Sequence, residues 1–393
     1  TEIDRAVSMI AASKKPVFYC GGGVINAGPK ASKSLRRLVK LTGAPITQTL
    51  MGLGAYPGSD RQFLGMLGMH GTYEANLAMH DADLIVPVGA RFDDRITGRL
   101  ADFAPNSQKI HIDIDPSSIN KNVAVDLPIV GDVGAVLDQM LRAWKAKNLK
   151  TNQKALKAWW AEINEWRKKD CLKYKQAGDI IKPQFAIERL YEHTKDLDCY
   201  ITTEVGQHQM WAAQFYKFEE PNRWMTSGGL GTMGYGLPAA IGVQVAHPNS
   251  LVVDISGEAS FLMNMQEMST AVQYRAPVKV FVTNNQYMGM VRQWQELLHG
   301  GRYAESYTDA LPDLVKLAEA CHWVGLRATK PDEVDDVIKE MIAVDKPVIA
   351  DVWVDQTENC FPMIPSGAAH NEMLLGPEDE AEKPISEEGM VLV

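Results

Sequence analysis

Residues 254–290 read DISGEASFLMNMQEMSTAVQYRAPVKVFVTNNQYMGM, and this stretch decides the fold of the chain. Two short apolar runs, at 251–255 and 278–283, are rich in β-branched residues and are typical of buried parallel strands. Residues 266–274 between them fit a helix, which predicts a βαβ unit. Both strands of such a unit end at the same edge of one sheet, where open α/β folds bind their ligands.

Polar side chains follow each of these two strands. Glu258 comes just after the first strand and Asn285 just after the second. A carboxylate and an amide oxygen that meet at one sheet edge suit a hard cation such as Mg²⁺ in company with a phosphate. The alternative is an ordinary βαβ unit whose polar strand ends only cap a helix.

Composition narrows the class of protein. The chain has 393 residues, 46% of them hydrophobic and 23% charged, which is typical of a soluble globular protein with two domains. The net charge of −9 argues against nucleic acid as a partner. No apolar run reaches about 18 residues, so we expect no membrane span. Five scattered cysteines form no CxxC motif, which favours reduced thiols over a disulfide framework or a zinc site.

The first part of the chain, residues 1–147, alternates short apolar strands with helices. Strands are predicted at 16–20, 44–49, 83–89, 109–114 and 128–132, which indicates a doubly wound, mostly parallel α/β domain. A Gly-rich turn, Gly21–Gly22–Gly23, follows the first strand. It could approach a phosphate closely, but it lacks GxGxxG spacing, so a tight turn remains the alternative.

Three further segments are predicted. Residues 148–181 mix lysines with tryptophans and indicate a linker helix with one solvated face and one packed face. Residues 182–355 form a second doubly wound α/β domain, in which a glycine-rich run at 227–236 precedes a helix and could present backbone N–H groups to a phosphate. Residues 356–393 show no periodicity and are expected to be either a disordered tail or a lid.

Several motifs together resemble a known family. Gly257-Glu258-Ala259 followed by Asn284-Asn285 is similar to the diphosphate signature of thiamine diphosphate enzymes, with Glu where that family usually has Asp. Four more motifs extend the resemblance over nearly the whole chain to the catalytic subunit of acetohydroxyacid (acetolactate) synthases. They are MLGMHG at 66–71, GARFDDR at 89–95, VGQHQMW at 205–211 and GMVRQWQ at 289–295.

The resemblance implies both a reaction and cofactors. The family condenses pyruvate with a second 2-keto acid, pyruvate or 2-ketobutyrate, on the way to valine, leucine and isoleucine, and it uses thiamine diphosphate, Mg²⁺ and FAD. It implies a homodimer or tetramer with a regulatory subunit, in the bacterial cytoplasm or in an organelle, and neither nucleic acid nor a membrane as a partner.

The resemblance also assigns roles to residues. The metal would be held by Glu258, Asn285 and the carbonyl of Tyr287. The thiamine diphosphate would be bound by Val205, Gly206, Gln207, His208, Gly231, Met233, Gly257, Ala259 and Ser260, with Met233 bending the cofactor. Catalysis and choice of the second substrate would involve Met233, Met290, Arg95 and Trp294. The FAD groove would be lined by Gly21, Gly22, Gly23, Thr49, Leu50, Met51, Met69, His70, Arg91, Asp93, Arg95, Asp113 and Asp132.

For some of these residues, a purely structural role is the alternative. Met233 and Trp294 could simply pack in apolar seams, as such side chains commonly do. Arg95 could pair with Asp93 or Asp94 at the surface.

One departure from the family concerns the start of the chain. Family members begin with a pyrimidine-binding domain whose glutamate activates thiamine, and no stretch here resembles it. Thr1 already lies at the start of the middle domain, as in a fragment cut at a domain boundary. We therefore expect this chain to supply only the diphosphate end of a site shared between two chains, and to be poorly active alone.

Three rival functions remain. Within the superfamily, the chain could be a glyoxylate carboligase or a keto-acid oxidase or decarboxylase, although Arg95 and Trp294 argue against these. From another class, it could be a catalytically silent fragment that acts as an assembly or herbicide-binding module. The third rival function, a nicotinamide oxidoreductase, is supported only by the turn at Gly21.

Overall fold

The first six strands of the chain form one parallel sheet. A computed structural model describes residues 1–379 and shows these strands in the order β3-β2-β1-β4-β5-β6, with parallel pairing throughout. The order reverses between β1 and β4, so the crevice for a ligand lies outside the carboxyl ends of those strands. The strands are β1 Pro16–Cys20, β2 Ile46–Gln48, β3 Phe63–Met66, β4 Leu84–Val88, β5 Gln108–Asp113 and β6 Leu127–Val130.

Helices cover both faces of this sheet. They are α1 Glu2–Ala12, α2 Gly22–Asn26, α3 Pro29–Thr42, α4 Tyr73–Asp81, α5 Asp94–Thr97, α6 Val133–Ala146 and α7 Gln153–Arg167. One buried cluster joins the sheet to α1, α3 and α6, and a second joins its other face to α4 and α7. A parallel sheet buried on both faces explains why its strands are continuously apolar.

The predicted linker helix belongs to the core of this first unit. Helix α7 is shorter than the predicted segment 148–181, and its Trp159 is almost fully buried. The Trp159 indole donates to the Pro16 carbonyl at 3.2 Å, and the Trp160 indole donates to the Gly43 carbonyl at 2.9 Å. The aromatic face therefore packs as expected, and the lysines lie mainly on the exposed face.

The second unit repeats the architecture with another six-stranded parallel sheet, in the order β11-β12-β10-β9-β7-β8. Its strands are β7 Cys199–Thr203, β8 Trp224–Met225, β9 Leu251–Ser256, β10 Lys279–Asn284, β11 Val324–Ala328 and β12 Val348–Trp353. Its helices are α8 Pro183–Thr194, α9 Gln207–Phe215, α10 Gly236–Ala246, α11 Glu258–Leu262, α12 Glu267–Gln273, α13 Gly289–Leu297, α14 Leu314–Ala320 and α15 Val334–Ala343.

The predicted fold class, two doubly wound parallel-sheet domains, is confirmed. By contacts, the first unit comprises Thr1–Leu172, Phe218–Pro221 and the described residues from Phe361 onward, and the second comprises Lys173–Lys217 and Asn222–Cys360. No helix within residues 1–379 is long and apolar enough to cross a membrane.

Several local predictions were wrong. Strands β3, β8 and β11 were not predicted, because β3 contains a glycine and β8 has only two residues. The predicted turn at Gly21–Gly23 is in part the first turn of helix α2. Helix α11, which begins at Glu258, was not predicted as a helix.

The predicted tail at 356–393 is ordered over its described part. In the first unit, the Ile364 N–H donates to the Met69 carbonyl at 2.7 Å, and His70 Nδ1 lies 3.1 Å from the Pro362 carbonyl. His370 Nε2 lies 2.6 Å from the Ile96 carbonyl. Residues 380–393, the rest of the predicted tail, lie outside the described residues.

Candidate functional site

A pocket opens at the carboxyl ends of β7, β9 and β10, which are neighbours in the second sheet. Three turns that follow these strands supply most of its wall, as expected for a parallel sheet. Its lining residues are Val205, Gly206, Gln207, His208, Trp211, Met233, Gly257, Ala259, Ser260, Thr283, Asn285, Tyr287, Met288, Gly289, Met290 and Val291. Eleven of these sixteen were predicted as site residues from the sequence.

Glu258 is buried next to this pocket, and its carboxylate lacks hydrogen-bond partners. Its side chain is 1% exposed, and neither carboxylate oxygen accepts a hydrogen bond from any residue of the described chain. Burial raises the pKa of Glu258 to about 8, while the backbone N–H groups of Glu258 itself, Tyr287 and Asn285, all outside hydrogen-bond geometry, lower it by less. A buried, unpaired carboxylate is costly unless a cation compensates it, so these two oxygens fit a metal ion.

The other predicted metal ligands lie in the turn after β10. The Asn285 side-chain oxygen accepts from the Tyr287 N–H at 3.1 Å, and Gln286 within this turn has a φ of +59°. Within residues 1–379, no cluster of three or more His, Cys, Asp or Glu side chains could hold a metal. The predicted protein ligands would therefore be one carboxylate, from Glu258, and neutral oxygens from Asn285 and Tyr287, a set that suits Mg²⁺.

Gln207 is the first residue of α9, and its amide is used within the protein. Its Nε2 donates to Gln293 Oε1 at 2.8 Å and to the Glu358 carbonyl at 2.9 Å, and its Oε1 accepts from Asn285 Nδ2 at 3.2 Å. Sequence reasoning assigned Gln207 to the diphosphate but missed Gln293. The side chain of Gln207 therefore holds the turn that carries the predicted metal ligand Asn285.

His208 is held neutral by its surroundings. The side chain is 6% exposed, and burial lowers its pKa to about 3. A methyl group added at Gly257 would come within 2.7 Å of His208 Nδ1, so the glycine lets the turn after β9 lie against the imidazole ring. A neutral ring can donate one hydrogen bond to an anion without adding charge to the pocket.

Three predicted residues of this region do not line the pocket. Gly231, with a φ of +64°, is exposed in the glycine-rich segment before α10, and Glu258 lies below the lining. Trp294 is half-buried on α13, four residues after the lining residue Met290. Residues i and i+4 share one face of a helix, so both side chains project from the same side of α13.

The predicted flavin residues of the first unit lie at or after the carboxyl ends of strands, and therefore along one edge of its sheet. Gly21–Gly23 follow β1, Thr49–Met51 follow β2, Met69 and His70 follow β3, Arg91–Arg95 follow β4, Asp113 ends β5 and Asp132 follows β6. Arg91 pairs with Asp93 and Arg95 pairs with Asp94, each at 3.2 Å at the surface. Asp132 caps α6 by accepting from the Ala135 N–H at 2.8 Å.

Large apolar side chains are exposed along the same edge. Ile114 is 67% exposed just after β5, Val130 is 54% exposed at the end of β6, and Met51 is 42% exposed after β2. Exposed apolar side chains beside polar strand ends suit a flat, partly apolar ligand.

Comparison with known proteins defines the class of this fold and site. Residues 3–140 match the thiamine pyrophosphate enzyme central domain, and residues 204–352 match the thiamine pyrophosphate enzyme C-terminal TPP binding domain. The chain belongs to the thiamine pyrophosphate enzymes.

Within that family, the chain is similar to acetolactate synthases, which confirms the resemblance seen in the sequence motifs. It is 47% identical over 96% of its length to the acetolactate synthase large subunit of Haemophilus influenzae, and 48% identical over 95% to the isozyme 3 large subunit of Escherichia coli. It is 43% identical over 95% to the chloroplastic acetolactate synthase 1 of Nicotiana tabacum. The alignments cover 66%, 65% and 56% of these three proteins, so the chain spans about two thirds of the bacterial relatives' length.

Proposed function

We propose that this chain is part of an acetolactate synthase, which condenses pyruvate with a second 2-keto acid, pyruvate or 2-ketobutyrate, in the synthesis of valine, leucine and isoleucine. The observation that carries the proposal is the buried, unpartnered carboxylate of Glu258 beneath a pocket at a parallel-sheet edge. The similarity to acetolactate synthase large subunits over nearly the whole chain supports the choice of reaction.

The second unit would bind Mg²⁺ and the diphosphate of thiamine diphosphate. Glu258 supplies the charged metal ligand, and Asn285 and the Tyr287 carbonyl supply neutral oxygens. Gly206, Gln207 and His208, with Gly257, Ala259 and Ser260, face the phosphates from two neighbouring turns. Thiamine diphosphate, when bound, supplies the nucleophilic carbon that the amino-acid side chains lack.

The chain's own residues would orient that cofactor and keep the pocket dry. Met233 enters the pocket from the segment before α10, where an apolar side chain can press on a bent cofactor. Trp211 closes the base and is 1% exposed. The neutral His208 donates to a phosphate oxygen without adding a positive charge that would compete with the cation.

The carboxyl edge of the first sheet would bind FAD. The residues proposed for it are those that follow its six strands, from Gly21–Gly23 to Asp132. The exposed side chains of Met51, Ile114 and Val130 support a flat apolar ligand at this edge.

Arg95, Trp294 and Met290 would select the second substrate. An arginine can bind a substrate carboxylate through two parallel hydrogen bonds. A tryptophan face favours one additional methyl group, and Met290 lines the pocket on the same helix as Trp294. The surface pair between Arg95 and Asp94 would open when a carboxylate binds.

The assembly would be a homodimer or tetramer with a smaller regulatory partner. Both bacterial relatives are named large subunits, which is the basis for a second, smaller chain. We place the protein in the cytoplasm by analogy with its bacterial relatives, whereas the tobacco relative is chloroplastic.

An assay of products tests this function. The full-length protein that contains this chain, with thiamine diphosphate, Mg²⁺ and FAD, should form acetolactate from pyruvate. Adding 2-ketobutyrate should give acetohydroxybutyrate, and Glu258→Gln should lose both products. Release of acetaldehyde alone would indicate a decarboxylase, and conversion of glyoxylate but not pyruvate would indicate a glyoxylate carboligase; either result would overturn the proposal.

The 393-residue chain alone is a second test. Without the pyrimidine-binding domain that the family uses to activate thiamine, it should be slower by about 10²–10⁴-fold, the usual contribution of general acid–base catalysis. Adding that domain from a relative should restore the rate. Full activity from the chain alone would show that its own residues carry the proton relay.

A further inference from the structure

Glu204 is a fully buried acid that binds parts of the pocket wall together. It follows β7 directly and its side chain is 0% exposed. One carboxylate oxygen, Oε2, accepts from the Gly234 N–H at 2.6 Å and from the Ser260 hydroxyl at 2.7 Å. The other, Oε1, accepts from the Leu237 N–H at 3.2 Å. A single carboxylate therefore joins the end of β7, the glycine-rich segment before α10, and α11.

The groups joined in this way flank the pocket. Gly234 is the residue after Met233, and both Met233 and Ser260 line the cavity. The Ser260 oxygen also accepts from the Val205 N–H at 3.3 Å, so this hydroxyl links the turns that follow β7 and β9. The Gly234 carbonyl accepts from Asn264 Nδ2 at 2.6 Å, so the backbone of Gly234 is held on both sides of its Cα.

Burial raises the pKa of the Glu204 carboxyl, while the hydrogen bonds that it accepts oppose this shift and favour the negatively charged form. Backbone N–H groups can only donate, and two of them point at this carboxylate together with a serine hydroxyl. Asp254 is buried on the adjacent β9, where burial first and the Glu204 charge second raise its pKa to about 8. The hydrogen-bond partners of Asp254 are the hydroxyls of Thr202 and Ser256.

The packing leaves little room for another arrangement. A methyl group at Gly236 would lie 2.2 Å from Asp254 Oδ1 and 2.6 Å from the Glu204 N atom. The glycine-rich segment thus passes directly over both acids, and its position depends on them.

We propose that Glu204 is a positioning residue that fixes Met233 and Ser260 relative to each other, and thereby shapes the thiamine diphosphate site. This inference rests on the proposed function of the same pocket. Glu204 itself does not line the cavity, so it acts through the two residues that do.

The test uses the full-length protein and two substitutions. Glu204→Gln keeps the size but turns an NH₂ group toward donors, and Glu204→Asp keeps the charge but shortens the reach. Glu319→Gln, an exposed glutamate on α14, is the matched control. Calorimetry with saturating Mg²⁺ gives the affinity for thiamine diphosphate and, separately, for inorganic pyrophosphate. Hydrogen–deuterium exchange reports on residues 227–238.

Both Glu204 variants should weaken thiamine diphosphate binding by about tenfold or more, because Glu204→Gln removes the charged acceptor of the buried donors and Glu204→Asp no longer reaches them. Exchange in residues 227–238 should speed up. Pyrophosphate, which reaches Ser260 but not Met233, should lose less affinity than thiamine diphosphate. The Glu319 control should match wild type.

A double-mutant cycle keeps the proposal falsifiable if Glu204→Gln fails to fold. The losses caused by Glu204→Asp and Met233→Leu should not add, because both act on the same contact with the cofactor. Additive losses, or equal losses for thiamine diphosphate and pyrophosphate, would overturn the positioning role. If wild type itself fails to bind thiamine diphosphate, the proposed function fails instead.

Discussion

The side-chain amide of Gln207 donates to Oε1 of Gln293 over 2.8 Å, which links the turn after β7 to helix α13 inside the second unit. Gln293 is 0% exposed, and its Oε1 also accepts from the Cys360 N–H at 2.8 Å. The residue after Gln293 is Trp294, the proposed selector of the second substrate. The buried amide of Gln293 therefore links the turn proposed to bind the diphosphate to the helix proposed to contact the second substrate.

Gln293→Ala should destabilise the second unit and weaken its binding of thiamine diphosphate. The change leaves the Gln207 amide and the Cys360 N–H short of an acceptor, which typically costs about 1–3 kcal/mol. Urea unfolding measures the stability, and calorimetry measures thiamine diphosphate affinity. Gln273→Ala, at the exposed end of α12, is the control and should change neither. An unchanged affinity in a destabilised Gln293 variant would limit this link to folding.

Gly23 and Gly22 should respond differently to alanine. A methyl group at Gly23 would lie 2.6 Å from the Gly89 Cα, a backbone atom that cannot move aside, whereas at Gly22 it would lie 3.2 Å from the Met51 side chain. Overpacking against the backbone usually costs about 1–3 kcal/mol. We expect Gly23→Ala to lower the free energy of unfolding by that amount and Gly22→Ala to lower it much less. Equal effects in urea unfolding would show that the contact with Gly89 is not tight.

The fold was largely predictable because both sheets are parallel and buried on two faces. Such strands are continuous apolar runs, and β1 was predicted at 16–20 and is observed at Pro16–Cys20. The rule that ligands lie at the carboxyl edge then placed Glu258 and Asn285 together, and the family resemblance added His208. Strand β3 was not predicted, because Gly65, with a φ of +97°, interrupts its apolar pattern.

The supporting residues could not be predicted in the same way. Gln207 and Gln293 are separated by 86 positions in sequence, and no periodic pattern links them. Glu204 and Glu258 both follow a strand in the sequence, so they look alike there. In the structure, Glu204 accepts three hydrogen bonds, whereas Glu258 accepts none from the described chain.

Trp294 and Arg95 should separate product ratio from rate in the full-length protein. One additional methylene in an apolar pocket is worth about 1–3 kcal/mol of discrimination, so Trp294→Leu should lower the acetohydroxybutyrate-to-acetolactate ratio. Arg95→Ala should slow both products together, because each second substrate has the same carboxylate. Competition between pyruvate and 2-ketobutyrate measures the ratio. A wild-type ratio from the Trp294 variant would favour simple packing.

His208 should make the protein less stable in mild acid. Its pKa falls from 6.5 to about 3 on burial, so below pH 6.5 the unfolded chain binds a proton that the folded chain refuses. Stability is complete above the unfolded pKa and falls by up to about 1.4 kcal/mol per pH unit as the pH drops toward the folded value.

The substitution His208→Gln isolates this effect. Urea unfolding of both proteins at about pH 7.5 and about pH 5.5 gives two differences in free energy. The variant should lose about 1 kcal/mol less than wild type over that interval. Identical losses would mean that other buried groups, such as His370, set the acid sensitivity.

Calorimetric titration of thiamine diphosphate into wild type, Glu258→Asp and Glu258→Gln, with and without Mg²⁺, tests the central claim most directly. A charged oxygen ligand at Glu258 predicts that wild type binds the cofactor tightly only with Mg²⁺. Glu258→Asp should keep most of this affinity, and Glu258→Gln should lose the Mg²⁺-dependent part because a neutral amide replaces the anionic ligand of a hard cation. Mg²⁺-dependent binding that is equally tight in wild type and Glu258→Gln would contradict the assignment of Glu258 to the metal.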